Sequence, residues 1–348
     1  MKILAIDTSC DETAVAITHN TEIFSNVIWS QSSLHASFGG VIPSLAQRQH
    51  EERIGFVIDK ALSTAHCSLF TIDCIAVTIG PGLGIALGVG IKKAKELAIK
   101  YNKPLIPISH SEAHLLSPFA NYTAEIKFPM LGLVLSGGTT VLCLVRNIGN
   151  YEVLAETSDD ALGEALDKGA RLLGLGYPGG AILEKFARNG DPKKYKLPLP
   201  LQNDKIKNRF SYSGLKTAFM RLFNSVSNPT KQDIADLAAS FQSVALDHIL
   251  KVLEFQIVNC KLKINNQLRC ENLLLGGGVA NNIEIKKRLR KLCKKYGIKL
   301  LIPYTKKLNG DNAAMVGVTA YLKIKGQGLK VKNYMNYNIV DRNPRLKL

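Results

Sequence analysis

MLGLVLSGGTTVLCLV, residues 130–145, is an apolar run, a small polar turn and a second apolar run. It reads as two strands, Met130–Leu135 and 141–145, flanking Ser136-Gly137-Gly138-Thr139-Thr140. The N-terminus repeats the plan. Lys2–Asp7 and 14–18 are strand-like and flank Thr8-Ser9-Cys10-Asp11-Glu12-Thr13. The same hairpin occurring twice argues for two related lobes with a cleft between them, divided near residue 128.

Strands and helices alternate between and beyond the hairpins. Residues 49–64 are helical, and 73–79 form an apolar strand ending in Gly80-Pro81-Gly82. Gly84–Lys100 is helical, 105–108 a short strand and His110–Leu116 a helix. After the second hairpin, 161–175 and 180–188 are helical and 189–212 is a polar loop region. Residues 232–258 read as one long helix or two. Residues 272–275 form a strand running into Gly276-Gly277-Gly278. A basic helix at Ile283–Tyr296, a strand at 298–302 and a helix at 311–323 complete the pattern. Such alternation predicts an α/β chain with mixed sheets. Residues 1–128 are expected to form the first lobe and 129–328 the second. A basic tail, 329–348, is expected to pack back on the first lobe.

A length of 348 residues suits about two domains. With 46% hydrophobic and 21% charged residues, the chain is neither disordered nor collagen-like. No apolar run reaches the ~18–20 residues of a membrane span. The opening MKILAID resembles neither a signal nor a transit peptide, so a cytoplasmic location and no membrane partner are expected. The cysteines, Cys10, Cys67, Cys74, Cys143, Cys260, Cys270 and Cys293, form no CxxC pair. That spacing argues against a disulfide framework or a Cys-based zinc site. Net charge is +17, and it is uneven. The first 150 residues hold 11 Lys/Arg and 11 Asp/Glu, whereas the remainder hold 34 and 17. A polyanionic partner such as a nucleic acid fits that imbalance; a lysine-rich solvated face is the alternative.

Several constellations carry chemistry. In Ser136-Gly137-Gly138-Thr139-Thr140, small residues let backbone N–H groups approach a phosphate. Asp7, Asp11 and Glu12 in the first turn could hold a cation or a polarised water. Gly276-Gly277-Gly278 lies between a strand and a helix, which suits a nucleotide but lacks the GxGxxG spacing of a dinucleotide site. In His110-Ser111-Glu112-Ala113-His114, both imidazoles share a helix face and could bind one metal. Glu112 falls about 200° away, so the zinc-protease arrangement is not reproduced. Two histidines do not fill a metal shell, and Asp311, at a helix start, is a candidate third ligand. The cations of the 283–296 helix could contact RNA phosphates.

These residues together resemble the TsaD family, once called Gcp or O-sialoglycoprotein endopeptidase. The resemblance runs through Asp7-Thr8-Ser9-Cys10-Asp11-Glu12-Thr13, Gly80-Pro81-Gly82-Leu83, the His110–His114 segment and Leu135-Ser136-Gly137-Gly138. It continues through Gly163-Glu164-Ala165-Leu166-Asp167-Lys168, Tyr177-Pro178-Gly179-Gly180, Phe210-Ser211-Tyr212-Ser213-Gly214-Leu215-Lys216 and Asp311-Asn312-Ala313-Ala314-Met315. It covers residues 1 to about 320. The family has a histidine after its Ser-Gly-Gly turn where this chain has Thr139. Its Gly-Gly-Val-x-x-Asn spacing selects Asn282, with Asn281 one step away.

The resemblance implies an actin-like, Hsp70-like ATPase fold of the ASKHA type, two duplicated ribonuclease H-like lobes. It implies transfer of threonylcarbamoyl from threonylcarbamoyl-AMP to the adenosine 3′ of the anticodon, in tRNAs reading codons that begin with A. It implies one divalent ion per subunit, Fe2+ with Zn2+ as the alternative, held by His110, His114 and Asp311. The adenylate would contact Val134, Leu135, Ser136, Gly137, Gly138, Asp167, Gly180, Glu184 and Asn282. A TsaB-like paralog, forming a heterodimer, and a TsaE-like ATPase would be partners. Asp11 and Glu12 are candidates for proton handling or orientation. Rival readings are a small-molecule kinase of the same fold and a non-catalytic scaffold paralog.

Overall fold

The structure is a computed structural model describing residues 1–204, 206–263, 270–328 and 331–348. It divides into two compact units. The first comprises Met1–Lys127, Arg146–Tyr151 and Ile302–Leu348; the second comprises Phe128–Val145 and Glu152–Leu301.

The first unit is built on β1 (Lys2–Asp7), β2 (Glu12–His19), β3 (Glu22–Ser30), β4 (Cys74–Gly80) and β5 (Leu105–Ser109), ordered β3-β2-β1-β4-β5. β2 runs antiparallel to β1, with Lys2 opposite His19 and Asp7 opposite Ala14. β4 is parallel to β1, and β5 to β4. β1 reads as a continuous apolar run because it is central and buried on both faces. Helices α1 (Ser32–Ala36), α2 (Pro43–Thr64), α3 (Gly84–Lys100) and α4 (His110–Leu116) belong to this unit. Leu4, Ile6, Val15 and Ile17 share one core cluster with Val57 of α2 and Leu87 of α3.

The second unit repeats the strand order. Its sheet contains β6 (Met130–Leu135), β7 (Thr140–Asn147), β8 (Asn150–Thr157), β9 (Arg209–Phe210), β10 (Asn272–Gly276) and β11 (Lys299–Leu301). The order is β11-β10-β6-β7-β8-β9. β7 is antiparallel to β6, β10 parallel to β6 and β11 parallel to β10. Strands β6, β7, β8, β10 and β11 therefore match β1 to β5 one for one, and β9 is an addition beside β8. Five helices accompany them: α5 (Leu162–Leu172), α6 (Gly179–Ala187), α7 (Ser213–Ser225), α8 (Lys231–Lys263) and α9 (Ile283–Tyr296). The last helix, α10 (Ala313–Gly326), belongs to the first unit and packs on β1, β2 and β3.

One expectation is corrected, one open alternative is decided and two elements are new. Residues 302–328 belong to the first unit, not the second, because α10 covers the β1–β3 sheet. There a Cβ on Gly317 would lie 2.6 Å from Thr18 Oγ1. The long helical stretch is one helix, α8, since no Pro or Gly interrupts 231–263. β3 and α7 have no counterpart in the sequence reading; β3 is only half-buried, so its apolar pattern is weak. Among the described residues no helix is long and apolar enough to cross a membrane. The six cysteines described are all free; the side chain of Cys260, and Leu329 and Lys330 of the tail, lie outside the described residues.

Candidate metal centre and glycine turns

In the first unit, α4 begins directly after β5. Ser109 caps it by accepting the Glu112 N–H at 3.4 Å. The four-residue spacing stacks His110 and His114 on one face, ring centroids 4.5 Å apart. Asp311 arrives from the far end of the sequence, just ahead of α10, whose N-cap Asn312 accepts the Met315 N–H at 3.1 Å. Its Oδ1 lies 3.2 Å from His114 Nε2 and 3.5 Å from His110 Nε2. One ligand atom from each of the three can be chosen so that all lie within 4.8 Å of one another. Ligands about 2.1 Å from one ion sit roughly 3–3.5 Å apart. Two of the separations therefore already fit, and two imidazoles plus a carboxylate are a standard donor set for a divalent transition metal.

Asp7, ending β1, accepts from His110 Nδ1 at 3.0 Å, and Ser9 Oγ lies 3.1 Å from the same nitrogen. That bond fixes the tautomer and leaves Nε2 facing Asp311. The charges interlock. Burial lowers the pKa of His110, but Asp311 and Asp7 outweigh it and hold the imidazole well above its ordinary value. His114 is lowered, first by burial and then by the His110 charge. Burial opposes ionisation of Asp311, yet the two imidazoles keep it well below the usual carboxylate range.

The first turn belongs to the same neighbourhood. Asp11 is buried. Glu12, opening β2, accepts from Ser30 Oγ at 3.2 Å. Its pKa is raised by burial, then by the charges of Asp311 and Asp11. Two structural supports escaped the sequence reading. His50 of α2 donates from Nε2 to the Cys10 carbonyl at 3.0 Å and accepts from Thr13 Oγ1 at 2.8 Å. Ser9 reaches His110 as described. Neither position has a spacing that would single it out; both are assembled by the fold.

In the second unit, Val134 and Leu135 end β6 and are buried. The turn that follows is closed by Ser136 N–H to the Thr139 carbonyl at 2.8 Å and by Thr139 N–H to Ser136 Oγ at 3.0 Å. The start of α5 sits against it: Gly163 N–H donates to the Ser136 carbonyl and Glu164 N–H to that of Gly137, both at 3.2 Å. Gly137 and Gly138 are exposed, and their own N–H groups bond nothing among the described residues. Asp167 Oδ1 accepts the Gly180 N–H at 2.7 Å, fixing the start of α6. Burial raises the Asp167 pKa. Glu184 accepts the Ile283 N–H at 3.0 Å at the start of α9. Asn282 is buried: its Oδ1 caps α9 and its Nδ2 donates to Gln242 at 2.8 Å. Asn281 is the less buried of the pair. Gly277 has φ of 95°, and a Cβ there would collide with the Leu135 carbonyl, so β6 and β10 need a glycine at that point.

The chain matches the family model of TsaD, tRNA N6-adenosine threonylcarbamoyltransferase, over residues 22–318. A relative of that name from Chelativorans sp. (strain BNC1) is 43% identical over 339 residues, covering 94% of this chain and 91% of the relative. Another, from Persephonella marina, is 43% identical over 334 residues, covering 95% and 92%. Among solved structures, T. kodakarensis HypF superposes with a TM-score of 0.57 at 16% identity, over 96% of this chain and 48% of that one. Component A of Acidaminococcus fermentans (R)-2-hydroxyglutaryl-CoA dehydratase gives 0.53 at 14% identity, over 93% and 99%. These two likenesses show the fold, which is the actin-like ATPase fold. On the family match and the near-complete coverage of its relatives, the chain belongs to the TsaD family of tRNA N6-adenosine threonylcarbamoyltransferases.

Proposed function

We propose that this chain transfers threonylcarbamoyl from threonylcarbamoyl-AMP to the N6 amine of the adenosine just 3′ of the anticodon, in tRNAs reading codons that begin with A. The observation that carries the reading is the meeting of His110 and His114 with Asp311, which is 197 positions from His114, with ligand atoms of the three within 4.8 Å of one another. A kinase acting on a small molecule has no need of that cluster.

A bond forms between N6 and the carbamoyl carbon, and the bond from that carbon to the phosphate oxygen breaks. One N6 proton is released, and AMP leaves. The amine is a weak nucleophile because its lone pair is delocalised into the ring, so positioning carries much of the rate. The free N–H groups of Gly137 and Gly138 suit phosphate oxygens. Asp167 holds the start of α6, including Gly180, in place. Glu184 and Asn282 fix the start of α9, and Val134 and Leu135 carry the turn. Glu12, with its raised pKa, and Asp11 beside it are the groups to hold or orient the proton.

His110, His114 and Asp311 would hold one divalent ion per subunit. Fe2+ is the better match to a two-histidine, one-carboxylate set, with Zn2+ the alternative. Bound there, the ion supplies Lewis-acid polarisation of a carbonyl or phosphoryl oxygen. Asp7 keeps His110 oriented for it. A TsaB-like paralog as heterodimer partner, a TsaE-like ATPase and a cytoplasmic location complete the reading.

The test incubates the chain with threonylcarbamoyl-AMP and unmodified tRNA, adding the TsaB-like and TsaE-like proteins singly and together. Nucleosides are read by mass spectrometry. The double variant His110→Ala/His114→Ala should lose both bound metal, measured by elemental analysis, and product. Full modification by that variant would remove the ion from the reaction.

A further inference from the structure

We propose that the solvent face of α9, formed by Lys287, Arg290, Lys291 and Lys294, is a docking surface for the phosphate backbone of the tRNA substrate. The proposal rests on the transfer reading above and adds to it the surface that meets the nucleic acid.

α9 carries seven cationic residues and one carboxylate, Glu284. The structure separates those with internal partners from those without. Arg288 bonds Glu284 at 2.7 Å and Asp247 at 2.8 Å, and reaches Ser243. Lys295 bonds Glu254 at 2.7 Å. Lys287, Arg290, Lys291 and Lys294 are exposed and make no ion pair or hydrogen bond among the described residues. Their spacing of i, i+3, i+4 and i+7 puts them on one stripe about 10 Å long. Ile285, Leu289 and Cys293 face the core on the opposite side.

Such a stripe opposes its own helix, because like charges three and four residues apart repel. An ordinary solvated helix face interleaves carboxylates, as where Lys93 of α3 meets Glu96 at 3.2 Å. The α9 stripe has none, and a polyanion is the partner that relieves the repulsion. Lys287 also lines an open groove of about 440 Å³ with Glu184, Arg188, Gln242 and Ile283. The stripe thus runs from the rim of a groove that includes Glu184, a residue assigned to the adenylate.

The test compares two variants of the full chain with equal loss of charge. One is Lys287→Gln/Arg290→Gln/Lys291→Gln/Lys294→Gln; Gln keeps helix propensity. The other is Lys60→Gln/Lys92→Gln/Lys95→Gln/Lys100→Gln, all in the first unit. Affinity for an unmodified tRNA is followed by fluorescence anisotropy across a KCl series, with folding checked by circular dichroism. Each phosphate contact contributes roughly 0.7–0.9 to the slope of log K against log salt. The α9 variant should therefore lose about 3 from the slope and at least ~10-fold in affinity, while the control stays within about 2-fold. Single Lys291→Gln, the milder variant, should lower the slope by about 1. Equal shifts in both quadruple variants, or no shift in the first, overturn the stripe. Nucleoside analysis of the unsubstituted chain judges the transfer reading separately. Product with an unchanged α9 variant removes the stripe and leaves transfer standing; neither product nor tRNA affinity in the unsubstituted chain overturns both.

Discussion

A Cβ added to Gly137 or Gly138 would meet no atom within 4 Å, and neither residue has a positive φ. The fold therefore makes no demand for glycine there, unlike at Gly277. Gly138→Ala should leave the melting temperature within about 2 °C while raising KM for threonylcarbamoyl-AMP roughly tenfold, measured by steady-state kinetics. His248 of α8 presents the opposite case, a side chain that serves stability. Its Nε2 accepts the Ser211 N–H at 3.2 Å, a bond open only to the neutral ring. Burial, then Lys207, lowers its pKa to about 4. Between that value and the unfolded ~6.5, the unfolded chain binds a proton that the folded chain refuses. Stability is thus full above pH ~6.5 and falls as pH drops towards 4, by about 2 kcal/mol between pH 7 and pH 5 from this group. Urea unfolding at the two pH values should show that loss, and His248→Gln should remove it. The sequence displayed both features unequally. The glycine pair is visible as a motif, whereas nothing near His248 announces that Phe210–Tyr212 folds over it.

At the scale of the element, α4 was legible in advance. Its period put His110 and His114 together and turned Glu112 away, and the structure shows where Glu112 goes. It is buried, bonded to Tyr151 at 2.7 Å and to Lys323 of α10 at 2.9 Å. Glu112 therefore anchors the histidine helix from behind. Lys323→Met strands a buried carboxylate and should cost about 2–3 kcal/mol, reduced from a fully buried pair because Lys323 is partly exposed. Adding Glu112→Gln should recover part of that loss, so a double-mutant cycle in urea would read a coupling of about 1–2 kcal/mol. A cycle with additive losses would dissolve the pair. The helices α3 and α9 teach the converse. Both show Lys-rich polar faces in sequence, and only packing reveals that Arg288 and Lys295 are engaged while four neighbours are not.

At the scale of the molecule, the charge is distributed otherwise than the linear sequence suggests. Counted by unit, the first holds 20 Lys/Arg against 13 Asp/Glu and the second 25 against 15, or +7 and +10. The neutral first 150 residues gain their charge from 302–348, which fold onto them. The end of the chain is knitted in by backbone bonds: Asn343 N–H donates to the Ile79 carbonyl at 2.7 Å, and Gly82 N–H to that of Pro344 at 3.3 Å. Tyr337 donates to the Lys103 carbonyl at 3.1 Å, and Val340 is buried in the β-sheet core cluster. A chain ending at residue 335 should lose about 3 kcal/mol, the scale of one buried aliphatic side chain plus a hydrogen bond, seen as a lower urea midpoint. An unchanged midpoint would mean that the tail is merely laid on the surface. The sequence by itself determined the two hairpins, their alternating elements and the pairing of His110 with His114, because strand and helix periods and turn chemistry are local. It offered Asp311 as the third ligand and 329–348 as a returning tail, but could not determine how closely Asp311 approaches the imidazoles, that 302–328 also joins the first unit, or which cations stand free. Those depend on residues hundreds of positions apart meeting in a core, and only tertiary packing brings them there.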